Sequence, residues 1–133
     1  MKILKFSILS IALAFVLMTS CSQTKITDLE YKSEGWNCYV YQGDKPFDGE
    51  VWSEDGSSYK LTVDCGLLKK IEYYDEKGEI FCVVEDQDKK FFNEKGDEIT
   101  REQVRELYRD KYTHWKHKQQ KVLRDLVEAH PHK

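Results

Sequence analysis

Five turn pairs punctuate the stretch from Phe47 to Thr100: Asp48-Gly49, Asp55-Gly56, Cys65-Gly66, Lys77-Gly78 and Lys95-Gly96. Between them run short segments in which apolar and polar residues alternate. Glycine supplies the positive φ that a tight hairpin turn requires, so the pattern predicts an antiparallel β meander.

Six strands follow from the alternation. Residues 37–42 set Cys38 and Val40 on one face and Tyr39 and Tyr41 on the other, and a loop helped by Pro46 leads to 49–53, which carries Val51 and Trp52. The cleanest strand is 58–64. There Tyr59, Leu61 and Val63 face one way and Lys60, Thr62 and Asp64 the other, so one face is buried and one is wet. Residues 67–75 keep Leu67, Ile71 and Tyr73 in phase, with Lys69 out of phase. Residues 80–85 are apolar on both faces, and 89–93 close the set with Phe91 and Phe92.

After Ile99 the period changes. Thr100 suits a helix N-cap with Gln103 at the capping-box position, and Asp97 and Glu98 sit near the positive end of the helix dipole. Val104, Leu107, Tyr108, Tyr112 and Trp115 then recur at helical spacing, with Lys111 the one polar residue among them, and this half is expected to lie on the sheet. A second stripe, Val122, Leu123, Leu126 and Val127, runs up to Pro131. A helix unbroken from Arg101 to Ala129 would be about 44 Å long, so its distal end is expected to project and offer Val122, Leu123 and Leu126 to a partner.

The N-terminal residues read as an export signal: Lys2 and Lys5, then an apolar run from Ile8 to Met18 interrupted only by Ser10, too short for a spanning helix. Leu17-Met18-Thr19-Ser20-Cys21 resembles the lipobox of bacterial lipoproteins, which implies that Cys21 carries acyl chains such as palmitate and becomes the mature N-terminus. Ser22 after it implies the outer membrane. Several acyl chains make such anchoring stable where one is marginal. Residues 22–33 are polar and without period and read as a tether, although Ile26 and Leu29 would also suit the start of a strand or a turn of helix.

The whole chain carries a formal charge of −3; residues 1–20 hold two lysines and no acid, leaving −5 for the remainder. This excess of acid argues against nucleic acid and against a basic face for anionic lipid. In an oxidising envelope compartment two of Cys38, Cys65 and Cys82 can pair, or at least one serves as a small buried hydrophobe.

Two of the turns are near copies. Tyr73-Tyr74-Asp75-Glu76-Lys77-Gly78-Glu79-Ile80 and Phe91-Phe92-Asn93-Glu94-Lys95-Gly96-Asp97-Glu98-Ile99 share an order of residue types, and Val51-Trp52-Ser53-Glu54-Asp55-Gly56 is a fainter third. Gly56, Gly78 and Gly96 lie 22 and 18 residues apart, about two short strands and two turns per unit, and repetition at that period means stacked hairpins. Together with Gly43-Asp44-Lys45-Pro46-Phe47-Asp48-Gly49, these motifs give residues 40–99 a resemblance to the bacterial MORN repeats of small lipoproteins and YwqK-type proteins. The resemblance implies an elongated antiparallel sheet of hairpins with no catalytic residues to carry over. It also implies, as one alternative, an antitoxin-like or immunity-like inhibitor.

No nucleophile motif, zinc-protease motif or phosphate-cradling loop occurs in the chain. His114 and His117 lie one helical turn apart, but lysines flank them and no Cys or carboxylate completes a ligand set, so they read as a solvated basic helix face. Acids cluster at the turns, and those at Asp86 and Asp88 lack a calcium-loop pattern. Trp36, Tyr39, Tyr41, Trp52, Tyr59, Tyr73 and Tyr74 give the sheet many aromatics, which serve either as cross-strand and core pairs or as an exposed platform.

The expected protein is α+β: residues 1–20 a signal peptide, 21–34 a tether, 35–99 an antiparallel β-meander sheet of about six hairpin-repeat strands, and 100–129 a C-terminal α-helix. It is expected to be a non-enzymatic lipoprotein without cofactor or metal, anchored to the outer membrane through Cys21. Its expected role is to bind a protein partner through Trp36, Tyr39, Tyr41 and Trp52 or through Val122, Leu123 and Leu126. A glycan or small-ligand domain using the aromatic face is a further alternative.

Overall fold

The computed structural model describes residues 24–86 and 88–133. The expected signal peptide and Cys21 lie outside the described residues. The fold is α+β: one antiparallel sheet followed by two helices. Its strands are β1 (Glu30–Glu34), β2 (Asn37–Gln42), β3 (Lys45–Pro46), β4 (Gly49–Trp52), β5 (Tyr59–Asp64), β6 (Leu67–Tyr74), β7 (Ile80–Glu85), β8 (Asp88–Phe92) and β9 (Glu98–Ile99). The six strands expected from alternation are β2 and β4 to β8, each found within a residue or two of its expected span. The central strand is β6, which pairs with β5 and β7 along its length and meets β2 through Tyr39 opposite Leu67.

Register explains the core. Val51, Leu61, Ile71 and Val84 form one cross-strand row, and Tyr59, Tyr73, Cys82 and Phe91 the next. Bulges interrupt the ladders at Thr62/Val63 and Tyr73/Tyr74. The second falls where both Phe81 and Cys82 are buried, which accounts for the apolar run on β7.

The near-copied turns are copies in their hydrogen bonds too. Asp75 Oδ1 accepts from the Lys77 and Glu79 N–H groups at 2.9 Å, and Asn93 Oδ1 accepts from the Lys95 and Asp97 N–H groups at 3.0 Å. In both, the glycine N–H closes back at 3.0 Å, Gly78 onto the Asp75 carbonyl and Gly96 onto the Asn93 carbonyl. The fainter copy keeps the closure, from Gly56 to the Ser53 carbonyl at 2.8 Å. A side-chain oxygen that mimics a backbone acceptor is why Asp and Asn occupy this position.

The helices are α1 (Arg101–Leu107) and α2 (Arg109–Ala129). Thr100 and Gln103 form the expected reciprocal capping box, at 3.2 and 2.9 Å. The single helix is corrected to two, because Tyr108 leaves helical geometry at φ −134°, ψ 47°. The phase resets there: Val104 stays buried, Leu107 turns out to solvent, and α2 lays Tyr112 and Trp115 on the sheet. Trp115 meets Phe91, Tyr73 and Phe81 edge-on, with ring centroids 5.1, 5.9 and 6.3 Å away.

The tether is also corrected over most of its length. Ile26–Asp28 form a 3-10 turn, Ile26, Leu29 and Tyr31 are buried, and β1 runs beside β2. The Tyr31 hydroxyl donates to the Ile26 carbonyl at 2.8 Å, folding the turn against the strand. Nor does the helix end project. Val122 and Leu126 are buried, and beyond the helix the chain pairs with β1: Tyr31 N–H donates to the His130 carbonyl at 2.8 Å, and His132 N–H to the Tyr31 carbonyl at 3.1 Å. This parallel bridge between Tyr31 and Pro131 covers the open edge of β1.

Candidate interaction surface

The face of the sheet away from the helices carries the polar residues of each alternating strand. Lys60 lies at its centre, with Nζ 3.4 Å from Glu50 and 3.6 Å from Glu72, and Lys70 reaches the same Glu72 oxygen at 3.6 Å. The Tyr74 hydroxyl donates to Glu72 at 3.2 Å. Above this network Trp52 packs against Tyr74, ring centroids 5.0 Å apart, and Lys60 sits 5.6 Å beneath the indole. Trp52 remains 43% exposed. The result is a small aromatic shelf on a neutralised ion-pair floor, suited to stacking against a planar or apolar group.

Trp36 is 89% exposed, at the tip of the β1–β2 hairpin just after Gly35, whose φ of +60° makes the turn. Tyr39 is half-buried opposite Leu67. Tyr41 is stacked beneath His132, centroids 3.7 Å apart and planes 11° from parallel, and His132 Nδ1 also lies 2.9 Å from Glu30. Of the seven expected contact residues, then, Trp36 and Trp52 present large apolar surface to solvent, at separate places. Tyr59 and Tyr73 face the core. Val122 and Leu126 also belong to the core, and Leu123 packs against it, so the helix stripe is not a free binding element.

The alternation gave no sign of the groove beside this stripe. It has a volume of about 390 Å³, with Ile26 and Tyr59 among its apolar walls and Glu54, Lys118, Lys121 and Asp125 around it. Residues 26 and 122 line it together, a juxtaposition that no local periodicity encodes.

The three described cysteines are free thiols, Cys38 and Cys82 buried and Cys65 exposed. Burial pushes the Cys38 thiol up to about 11 and the Cys82 thiol up to about 12, the behaviour of small core residues. Among the described residues one group of potential metal donors converges: Asp48, Asp64 and Cys65, all exposed, with ligand atoms within 4.8 Å of one another. Hydrogen bonding to Asp64, and then the charges of Asp64 and Asp48, raise the Cys65 thiol. Asp55, in contrast, is held far below the carboxylate range, first by the Ser53 hydroxyl at 2.5 Å and then by Ser58. It organises its turn and is not set up for proton transfer. No described helix is long and apolar enough to cross a membrane. Compared with protein-family models, curated proteins and solved structures, the chain finds no match.

Proposed function

We propose that the protein is a lipid-anchored interaction module of the bacterial envelope that binds a protein partner and performs no catalysis. The observation that supports this most is Trp36, an indole left almost wholly in solvent at the tip of the β1–β2 hairpin. Tryptophan is costly to expose and is enriched at the centres of protein interfaces. The hairpin also gives it direction. β1 runs from Glu30, beside the segment that leads back to Cys21, to Glu34 beside the tip, a span of about 17 Å. An anchor at Cys21 would therefore present Trp36 at the opposite end of that strand.

The test is photo-crosslinking in intact envelopes, with a benzophenone amino acid at position 36 and, as control, at exposed Glu94. A discrete protein adduct from position 36 that is absent from position 94, together with loss of partner retention on Trp36→Ala, is the expected result. Identical adducts from both positions would sink the assignment. The Trp52–Tyr74 shelf favours a second reading, glycan or small-ligand binding through the sheet. Under it, Trp52→Ala and not Trp36→Ala would abolish retention on a glycan array.

A further inference from the structure

We propose that the face built around Lys25, Lys118 and Lys121 docks on the phospholipid headgroup layer, so that the anchored domain lies against the bilayer. This rests on the reading of Cys21 as the acylated residue. The described fold begins at Thr24, and Ile26 and Thr27 line the same groove as Lys118 and Lys121. From Cys21 to Thr24 is three residues, a reach of about 10 Å. A chain that short cannot hold the domain away from the headgroups; whatever surrounds Thr24 must meet them.

What surrounds it is suited to phosphate. The chain as a whole is acidic, but its charge is segregated: α2 holds five Lys and Arg residues from Lys111 to Arg124 and no acid between them. Lys118, Lys121 and Arg124 follow one another at three-residue spacing along one flank of the helix, with His114 and His117 on the same flank. Lys25 and Lys121 are exposed, and among the described residues none of Lys25, Lys118 and Lys121 forms an ion pair. Glu54 and Asp125 share the groove, yet neither is paired with these lysines. Basic side chains held beside a membrane anchor each add attraction to anionic lipid. The net charge of the chain averages this patch away, which is why composition argued against it.

The test uses the acylated chain in vesicles of phosphatidylethanolamine and phosphatidylglycerol that contain a lipid with a nitroxide on its headgroup. Cys65→Ser removes the exposed thiol, and a fluorophore is placed through His117→Cys, which keeps all three lysines, or Trp36→Cys. Strong quenching at position 117 and little at 36 is expected; equal quenching at both, or none at 117, overturns the proposal. In a second arm, the unacylated chain from residue 21 carrying Cys21→Ser is sedimented with the same vesicles without the nitroxide lipid. Binding should fall about fivefold for each of Lys118→Gln and Lys121→Gln. Unchanged binding in the double variant overturns the proposal as well. A protein mass lacking acyl chains would remove the anchor reading and this one together, whereas acylated protein unquenched at position 117 removes this one alone.

Discussion

Lys111 reaches across from α2 to place its Nζ 2.9 Å from Asp75, the same carboxylate whose other oxygen holds the β6–β7 turn closed. One side chain thus joins the helix to the repeat. The ammonium also lies 4.7 Å from the Phe81 ring and 5.5 Å from the Tyr108 ring, so the polar residue in the apolar stripe is used where it stands. Lys111→Met should cost about 1–2 kcal/mol in urea denaturation.

The same pair sets an acid limit. Burial alone would raise Asp75, but the Glu79 N–H and Lys111 outweigh it and hold the carboxyl below its ordinary value of 3.8. The folded protein therefore takes up this proton less readily than the unfolded chain. Its contribution is complete above the ordinary value and is lost as pH falls through the lower folded one. Below about pH 4, stability should fall more steeply in the wild type than in Lys111→Met, as followed by denaturation at stepped pH.

Gly66 and Gly78 separate two uses of glycine. Both have φ near +80°, but a Cβ on Gly66 would lie 2.8 Å from Pro46 Cβ, whereas one on Gly78 meets nothing within 4 Å. Gly78→Ala should cost about 1–2 kcal/mol, the backbone penalty alone. Gly66→Ala should cost clearly more, because Gly66 also takes the Val40 N–H at 2.7 Å and donates to the Phe47 carbonyl at 2.8 Å, and a shift breaks both. The difference between the two midpoints in thermal unfolding is the measurement.

Trp115 is held by rings, not by hydrogen bonds; its buried Nε1 has no partner among the described residues. Trp115→Ala should cost about 3–5 kcal/mol, and Trp115→Phe far less, since phenylalanine keeps edge contacts and removes an unsatisfied donor. A chain cut after Trp115 loses Val122, Leu126 and the cover on β1, so calorimetry should find no cooperative transition for it.

In the native protein, Cys65 alone of the three described cysteines should react with a disulfide reagent, and Cys38 and Cys82 only after denaturant is added. Because Asp64 raises the Cys65 thiol, Asp64→Asn should speed that reaction severalfold at neutral pH.

The β meander was legible because its signals are local. The order of turn residues from Tyr73 to Ile80 and from Phe91 to Ile99 specified hairpins whose hydrogen bonds match atom for atom. The misreadings share a cause: they concern residues whose partners are far away in the chain. Ile26 and Leu29 look like isolated apolar residues in a tether until α2 is packed on them. Leu126 looks like a free stripe until that packing is seen. Periodicity puts Leu107 on the sheet only for a helix unbroken through Tyr108, and Tyr108 breaks it. Of the candidate surface, the exposure of Trp36 follows from the β1–β2 hairpin, whose first strand is hidden while residues 21–34 read as a tether. The Trp52–Tyr74 shelf depends on how β4, β5 and β6 align, which alternation alone leaves open.

The bridge between Tyr31 and Pro131 also bears on the timing of folding. A contact spanning a hundred residues carries a large loop-closure cost and tends to form late. The hairpins can assemble locally as they appear, but the edge of β1 stays open until the chain around residue 131 is present. A domain wired this way is slow to commit: until its last residues arrive, the hairpins stand with one strand edge still open to other chains.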